Sequence, residues 1–252
     1  WAMKALCGIV LEKLSVLEEA ADKASPVALS NVKLGAPVPA PTHLLAAPVN
    51  FRDHEAEMQG PMGYKAGTAD TLGFFLKASG SVSGPSDPIE LPDMEERRFD
   101  HEGEIAIVIG KEARAVSPEE ALNHIAGYTM VVDVTMRMTE TLREERVYRK
   151  SFHTFSPMGP CLLTADEVPD PSTLTLKLWL NGELRQDSST KDLIVDIPNL
   201  VSRASHVMPL MPGDVYITGS PAGVGQIKKG DVVRTEVPKL GAMELPVAVR
   251  NW

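Results

Sequence analysis

Two apolar, β-branched runs dominate the hydrophobic pattern of the chain, one over residues 103–110 and one over residues 127–135. Runs of this length and composition predict buried strands. Acidic residues interrupt both runs: Glu102 and Glu104 lie at the start of the first, and Asp133 lies inside the second. We therefore expect two core strands that carry carboxylates where apolar side chains would be the rule.

Weaker patterns predict the elements around these strands. Apolar residues at spacings of three and four indicate an amphipathic helix from Leu11 to Asp22. The other predicted elements are a helix from residue 54 capped by Asp53, a strand over 72–77, a helix from a capping box at 117–120 to about 125, a charged helical segment over 136–149, a loop over 150–160, a hairpin over 174–186 that turns at Asn181-Gly182, a helix over 197–205, and hairpins from 229 onward.

Prolines at positions 37, 39, 41 and 48 mark a linker. We divide the chain at this linker into two parts. Residues 1–44 form a short N-terminal appendage with the Pro-rich linker, and residues 45–252 form the main domain.

The composition is that of a globular protein. Of 252 residues, 43% are hydrophobic and 23% are charged, and no apolar run reaches the ~20 residues that span a membrane. The net charge of −9 argues against nucleic acid or an anionic membrane as a partner, although it permits a local basic pocket. Cys7 and Cys161 lack CxxC spacing, so we expect two buried thiols, and Lys4 and Lys13 interrupt any secretory leader. These features predict a soluble cytoplasmic protein.

The pair Glu102 and Glu104 is the first candidate site. Side chains alternate along a strand, so both carboxylates would project from one face, with His101 and Gly103 on the other. Two like charges this close require a proton, a basic side chain or a cation, and oxygen ligands suit Mg²⁺, Mn²⁺ or Ca²⁺. Solvated acids at a strand end are the alternative for this pair alone. An acid inside an apolar strand is costly unless it is paired, so Asp133 strengthens the metal hypothesis.

Three further features have both an ordinary and a functional interpretation. His54 and Glu57 share one helix face, either as a surface pair or as an imidazole tuned for proton transfer. Lys77 and Lys150 are either solvated charges or contacts for an anion. The glycine-rich turn at 219–220 is either a simple turn or a set of amides and a hydroxyl that hold an oxyanion.

Several motifs in order resemble the fumarylacetoacetate hydrolase family over roughly residues 45–250. They are NFRDHEAEM at 50, DHEGEIAIVIGK at 100, HIAGYTMVVDVTMR at 124, KSFHTFSPMGPCL at 150, NGELRQDSST at 181 and PGDVYITGSPAGVG at 212. The resemblance implies an α+β, β-rich catalytic domain over 45–252, of mixed β-sandwich or β-roll type with a few short helices, and usually a homodimer. It also implies a divalent cation, Mg²⁺ with Mn²⁺ or Ca²⁺ as alternatives, held by Glu102, Glu104 and Asp133.

The resemblance implies roles for other residues as well. His54 and Glu57 would be a water-activating dyad, and Lys150 would be a catalytic lysine. The contacts to the substrate would come from Lys77, Arg137, Gly219 and Ser220. Ser220 stands where the family more often has Thr. Val132, Ala78 and His153 depart from the family's usual Asn, Pro and Asp.

Together these residues predict a hydrolase for a small oxo acid. The cation would chelate a 1,3-diketo acid of the acylpyruvate type, His54 and Glu57 would activate water, and a carbon–carbon bond would break through a stabilised enolate. The same site suits an oxaloacetate-type decarboxylase or a 2-hydroxydienoate isomerase or hydratase. A third hypothesis is a protein that binds metal and dicarboxylate without turnover, and the retained pair of His54 and Glu57 argues against it.

Overall fold

The structure is a computed structural model and describes residues 2–58, 67–94 and 96–250. Its α-helices are α1 Ala2–Lys23, α2 Arg52–Met58, α3 Ala69–Leu72, α4 Pro118–Ala121, α5 Arg146–Lys150 and α6 Ile197–Val207. Its strands are β1 Leu44–Ala46, β2 Phe75–Lys77, β3 Val82–Ser83, β4 Ile89–Pro92, β5 Phe99–His101, β6 Gly103–Ile109, β7 Ile125–Val132, β8 Thr135–Met136, β9 Ser156–Thr164, β10 Thr175–Leu180, β11 Glu183–Ser189, β12 Val215–Ile217, β13 Gly225–Ile227, β14 Val232–Val237 and β15 Gly241–Arg250. Single 3₁₀ turns occur at Leu29–Asn31, Ser79–Ser81, Leu122–His124, Ala165–Glu167, Pro171–Thr173 and Thr190–Asp192.

Three sheets hold these strands. The seven-stranded sheet has the order β2-β1-β12-β6-β7-β9-β3, the five-stranded sheet β11-β10-β14-β15-β4, and the three-stranded sheet β13-β5-β8. Most neighbours are antiparallel, whereas β1 with β12, β3 with β9, and β4 with β15 run parallel. From β1 onward the fold is therefore β-rich and mixed, with short helices, as predicted. Among the described helices, none combines the length and the apolar character needed to cross a bilayer.

Both predicted core strands are present. Strands β6 and β7 are buried along their whole length and pair antiparallel, with Gly103 opposite Val132. The predicted hairpin turns at Asn181-Gly182, where both residues have positive φ, 53° and 84°, as this two-residue turn requires. The capping box is also present, since the Glu120 carboxylate accepts a hydrogen bond from the Ser117 N–H at 3.4 Å.

Several predicted boundaries were wrong. Helix α1 begins at Ala2, before the predicted start at Leu11, and β7 ends at Val132, so Asp133 follows this strand instead of lying inside it. Leu72 belongs to helix α3, which ends at Gly73 with a φ of 72°, so the strand that follows contains only Phe75–Lys77. Helix α2 begins at Arg52, before the predicted start, and Asp53 lies in its first turn, where its side chain accepts from the His54 N–H.

Three other expectations were also corrected. Residues 137–145 are not helical, because Arg97 binds the Glu144 carboxylate and the Arg137 carbonyl and holds the segment open. Residues 156–164 form a strand instead of a loop, and its register shift against β7 accommodates prolines that cannot donate to the ladder. Cys7 is buried as expected, whereas Cys161 is exposed.

Strand β6 separates two apolar cores. Ile105 and Ile107 face the larger core, which the five-stranded sheet closes, whereas Ala106 and Val108 face a smaller core on the opposite side. The sheets approach closely at Gly103, where an added Cβ would lie 2.9 Å from a Leu178 methyl group. Because side chains alternate, Glu104 lies on the same side as Ala106, away from the five-stranded sheet.

Helix α1 covers the smaller core. The helix is kinked at Lys13 and buries Cys7 and Val10. Val38, from the Pro-rich stretch, is buried in the same core. On this side of the central sheet, apolar contacts therefore fill one end, and the other end remains available for polar side chains.

Candidate active site

Three carboxylates meet at the end of strands β6 and β7. Oxygen atoms of Glu102, Glu104 and Asp133 lie within 4.8 Å of one another, and all three residues are buried. Glu102 directly precedes β6 and Asp133 directly follows β7, so antiparallel pairing brings them to the same end of the sheet. The Asp133 N–H donates to the Glu102 carbonyl at 2.7 Å and continues the ladder to this point.

The opposite face of strand β6 is hydrogen-bonded to the five-stranded sheet. Gln186 on β11 is buried, and its side-chain oxygen accepts from the Gly103 N–H at 2.9 Å. Its side-chain nitrogen donates to the Ser220 hydroxyl and the Pro221 carbonyl, both at 2.8 Å. Gly103 and Glu104 therefore face opposite sides, as predicted, and the turn at 220–221 is linked to the strand of the acid cluster.

Two lysines neutralise part of the acid cluster. The Lys150 amine donates to Glu102 at 2.7 Å and to Asp133 at 2.6 Å, while Lys77 donates to Asp133 at 2.5 Å and to the Phe155 carbonyl at 2.8 Å. Burial lowers the pKa of Lys150, but the surrounding carboxylates outweigh this effect and raise it overall. For Lys77 the burial dominates, with Lys150 nearby, and its pKa is lowered despite the contact with Asp133.

The two glutamates titrate in opposite directions. Burial favours the protonated form of Glu102, but Lys150 and Arg137 outweigh it and hold the pKa of this carboxyl far below its ordinary range. Burial and the negative charge of Asp133 raise the pKa of Glu104 well above its ordinary value. The Gly219 N–H, which donates to Glu104 at 2.5 Å, only partly offsets this effect.

This donor set fits a divalent cation. The cluster offers three carboxylate oxygens, which are the ligands that Mg²⁺, Mn²⁺ and Ca²⁺ prefer. The charge of a divalent cation beside Glu104 would favour its ionised form and reduce the cost of burying three acids together. The prediction of an oxygen-ligand cation site at these three residues therefore agrees with the arrangement.

Arg137 closes one side of the cluster. Its guanidinium donates to Asp100 at 2.6 Å and to Glu102 at 2.7 Å, a forked arrangement that fixes the side chain. Burial lowers the pKa of Arg137, but the two carboxylates outweigh this effect and raise it overall. Asp100, buried and held also by Arg98, was not singled out from the sequence.

His54 and Glu57 form the predicted pair on helix α2. The His54 Nδ1 lies 2.9 Å from Glu57 Oε2, and the other oxygen of Glu57 accepts from the Gly223 N–H at 3.2 Å. His54 is buried and Glu57 is partly exposed. The carboxylate thus orients the ring, and Nε2 is the imidazole nitrogen that remains for other contacts.

His54 and the acid cluster line one cavity of about 280 Å³. Its wall comprises Ala47, Pro48, Val49, His54, Met58, Phe75, Glu102, Glu104, Asp133, Arg137, Met138, Arg146, Arg149, Lys150 and Ser220. Most of the predicted site residues therefore meet here. Lys77 and Gly219 do not line the wall but contact its acids from behind, so the Gly219 N–H that we expected at a substrate oxygen is used by Glu104.

Two residues of the wall were missed from the sequence. Arg146 and Arg149 belong to a segment whose charges we expected to be solvated. With Lys150 they stand at spacings of three and four on helix α5, and this spacing is the signal that predicts one basic helix face.

A family model described as "Fumarylacetoacetate (FAA) hydrolase C-terminal" matches residues 44–248. The chain belongs to the fumarylacetoacetate hydrolase family. The predicted resemblance and the predicted fold of this family are therefore confirmed, and the three-carboxylate cluster lies within the matched region.

Relatives within the family differ in reaction. The chain is 38% identical over 240 residues to a maleylpyruvate hydrolase of Aquipseudomonas alcaligenes, covering 93% of this chain and 82% of the relative. It is 37% identical over 227 residues to a mitochondrial oxaloacetate tautomerase of Xenopus laevis, covering 86% and 69%. Relatives of this chain thus include both a hydrolase and a tautomerase.

A solved structure supports divalent-metal binding. The maleylpyruvate hydrolase of Sphingobium sp. SYK-6, in complex with manganese(II) and pyruvate, superposes with a TM-score of 0.85 at 38% identity. The match covers 98% of this chain and 85% of that structure. The manganese complex and the three clustered carboxylates together support a divalent cation in this chain.

Proposed function

We propose that the protein is a divalent-cation-dependent hydrolase that cleaves a carbon–carbon bond of an acylpyruvate. The observation that carries this proposal is the buried His54, which is oriented by Glu57 and lines the same cavity as the three carboxylates. The similarity to two maleylpyruvate hydrolases adds support. A hydrolase needs a base that can activate water beside the site that holds the oxo acid, and His54 would be this base.

Glu102, Glu104 and Asp133 would hold the cation, with Mg²⁺ or Mn²⁺ preferred for an all-oxygen site. The bound ion supplies Lewis-acid polarisation of the oxo-acid oxygens and stabilises the enolate that leaves. Lys150, held at the cluster by Glu102 and Asp133, keeps positive charge next to the developing enolate. Arg137 stands at the same wall and is fixed by two carboxylates.

His54 would act as the general base. With Nδ1–H donated to Glu57, Nε2 accepts a proton from water as the water oxygen bonds to the distal carbonyl carbon. The carbon–carbon bond then breaks, its electron pair passes to the pyruvyl part as an enolate, and protonation of that carbon yields pyruvate. The acyl part leaves as a carboxylic acid. Glu57 keeps the ring oriented and stabilises the imidazolium, and Gly223 holds Glu57 in place.

Oxaloacetate tautomerisation is the second candidate, because the chain is 37% identical to a tautomerase of this type. This reaction uses the same chelated oxo acid and needs only movement of a proton, without attack by water. Decarboxylation of oxaloacetate and isomerisation or hydration of a 2-hydroxydienoate are related predictions that also depend on a stabilised enolate. The homodimer stays a prediction.

The test compares acetylpyruvate cleavage with enol-to-keto conversion of oxaloacetate, each followed by loss of enol absorbance. We expect cleavage with Mg²⁺ or Mn²⁺, none with EDTA, and a fall in kcat of about 10²-fold or more in His54→Ala, as loss of a general base implies. His206→Gln, which changes an exposed histidine of helix α6, is the matched control and should leave kcat unchanged.

Two results would contradict the hydrolase. Full cleavage activity in His54→Ala would remove the proposed base. A wild-type enzyme that converts the enol of oxaloacetate but leaves every acylpyruvate intact would establish the tautomerase in its place.

A further inference from the structure

Val49 has a backbone conformation that its residue type disfavours. Its φ is +37°, on the left-handed side of the map, where a β-branched residue is a genuine outlier. The residue is partly buried and lines the cavity, five positions before His54. Strained residues of this kind persist only where their surroundings hold them, so the contacts on either side of Val49 must supply this constraint.

Asn50 holds the chain directly after Val49. It is fully buried, and its side-chain oxygen accepts from the Val195 N–H at 2.8 Å. Its side-chain nitrogen donates to the Val195 carbonyl at 3.0 Å and to the Thr218 carbonyl at 2.8 Å, and its own carbonyl accepts from the Ile194 N–H at 2.8 Å. Both donors and the acceptor of the amide are therefore used, and the side chain has one orientation.

The backbone on the other side of Val49 is fixed as well. The Ala47 N–H donates to the Ile217 carbonyl at 2.9 Å and continues the pairing of β1 with β12. The Val49 carbonyl accepts from the Ala69 N–H at 3.3 Å. Val49 thus lies between two anchored stretches, and its φ determines the direction in which the chain leaves β1 and enters helix α2.

The hydrogen bond to Thr218 connects Asn50 to the acid cluster. Thr218 is followed by Gly219, whose N–H donates to the Glu104 carboxylate. Gly219 packs directly against Asn50, since an added Cβ at Gly219 would lie 2.8 Å from the Asn50 Cβ. Asn50 therefore contacts the turn that supports one of the three carboxylates, and the chain reaches His54 four residues later.

We propose that Asn50 is a positioning residue that holds Val49 in its strained conformation and thereby keeps His54 directed at the acid cluster. Without this amide, Val49 would relax toward the extended region that its side chain prefers, and helix α2 would turn away from the cavity. Glycine at position 49 would have no such tendency, because it adopts positive φ without steric cost. The catalytic part of this inference rests on the proposed function, in which His54 is the base.

The test asks whether glycine at position 49 compensates for the loss of Asn50. We expect Asn50→Ala to reduce kcat for acetylpyruvate cleavage with Mn²⁺ about tenfold, since positive φ disfavours a residue other than glycine by about this factor. KM should change less than about threefold, because the carboxylates that would hold the cation remain in place. The double variant Val49→Gly with Asn50→Ala should recover at least about threefold in kcat.

Ala115→Gly is the matched control for this recovery. Ala115 also has a positive φ, +49°, but it is exposed and lies beyond the other end of strand β6. In the Asn50→Ala background, Ala115→Gly relieves the same kind of backbone strain away from the cavity and should leave kcat low. Val49→Ala in that background shortens the side chain but keeps a Cβ, so it should recover less activity than glycine.

Three results would overturn the proposal. They are no recovery with Val49→Gly, equal recovery with Val49→Ala, which would assign the effect to the cavity wall, and equal recovery with Ala115→Gly, which would assign it to general stability. Asn50→Ser retains one donor and one acceptor at this position, and it replaces Asn50→Ala in every comparison if that variant does not fold.

Hydrogen exchange measured by mass spectrometry gives a readout that does not depend on turnover. Amides of helix α2 should exchange at least about tenfold faster in Asn50→Ala than in the wild type, with strand β7 unchanged, and Val49→Gly should slow them again. This pattern without cleavage of any acylpyruvate would retain the positioning role and reject the hydrolase. Cleavage at the wild-type kcat, with wild-type exchange of α2, in Asn50→Ala would retain the hydrolase and reject the positioning role.

Discussion

Glu102 and Glu104 stand two residues apart and have opposite electrostatic surroundings. Lys150 and Arg137 contact Glu102, whereas Glu104 receives only the Gly219 N–H among the described contacts and faces the charge of Asp133. One carboxyl is therefore ionised under all ordinary conditions, and the other is the proton acceptor of the cluster. We therefore expect a cation that binds these three carboxylates to displace a proton from Glu104.

This coupling predicts a pH dependence of stability. The folded-state pKa of Glu104 is raised above its ordinary value of 4.5, so between these two values the folded protein binds a proton that the unfolded chain has lost. Stability from this group therefore falls as pH rises through that interval, by at most about 1.4 kcal/mol per pH unit. Glu104→Gln, which is neutral at every pH, should lack this contribution.

Urea unfolding with EDTA, from about pH 5 to about pH 8, measures the effect as the difference between wild type and Glu104→Gln. Added Mn²⁺ should stabilise the wild type more at the higher pH, because the ion competes with a proton. Parallel pH profiles for the two proteins would show that Glu104 does not hold the proton.

The sequence predicted those site residues whose type is unusual for their place in the local pattern. Asp133 in an apolar run and Glu102 with Glu104 at a strand end violate the expected burial of charge, and the structure brings them together. Arg146 and Arg149 were missed because arginine in a charged, exposed segment is ordinary. They line the cavity because helix α5 packs beside the acid cluster, which sequence spacing does not reveal.

Hydrogen bonds of Glu57 connect helix α2 to the turn at 219–224. Glu57 binds His54 with one oxygen and the Gly223 N–H with the other, so the turn fixes the carboxylate that orients the imidazole. Gly223 has a φ of +94°, and an added Cβ would lie 1.8 Å from the Arg185 carbonyl oxygen. No other residue fits this position without movement of the turn.

Gly223→Ala should therefore reduce catalysis at a distance from the substrate. We expect kcat to fall at least about tenfold, since a hydrogen bond to a charged group is lost when the turn moves. Gly230→Ala is the control, because Gly230 also has a positive φ, +91°, but has open space around its Cβ position. It should lose about 1 kcal/mol of stability and keep its kcat.

Steady-state kinetics and urea unfolding on both variants provide the measurement. Equal kcat for Gly223→Ala and the wild type would show that Glu57 needs no support from the turn.

At the scale of elements, the sequence predicted those that a local pattern determines. The core strands and the Asn181-Gly182 hairpin follow from local patterns that one sheet face or one turn type determines. Residues 137–145 were predicted as helical from their composition, but Arg97 binds this segment from 40 or more residues away in the sequence. Contacts of this kind override propensity and leave no local signal.

The whole molecule is built on the central sheet, with a core on each side. Helix α1 closes the smaller core by burying Cys7, which is 1% exposed, against a face that includes Ala106 and Val108. The division of the chain at residue 44 stays a prediction. The packing of Cys7 implies that α1 and the central sheet unfold together.

Cys7→Asn tests this integration. A buried amide without partners should cost about 1–3 kcal/mol of the free energy of unfolding. Val16→Asn, on the same helix at 55% exposure, is the control and should stay within about 0.5 kcal/mol of the wild type. The two changes insert the same side chain into one helix and differ in burial.

The measurement is urea unfolding followed by circular dichroism and by fluorescence. Coincident transitions with a lower midpoint in Cys7→Asn are expected. A wild-type midpoint for Cys7→Asn would mean that α1 contributes nothing to the stability of the sheet.

Deamidation of Gln186 would disrupt the hydrogen bonds that link strand β11 to the active-site strand. Its amide bonds to Gly103, Ser220 and Pro221 use the oxygen as acceptor and the nitrogen as donor, so the group has one orientation. Deamidation to glutamate would remove both donations and add a negative charge behind the strand that carries Glu104. The 1% exposure of Gln186 shields it from this hydrolysis, so slow loss of activity on prolonged heating would begin with local opening of strand β11.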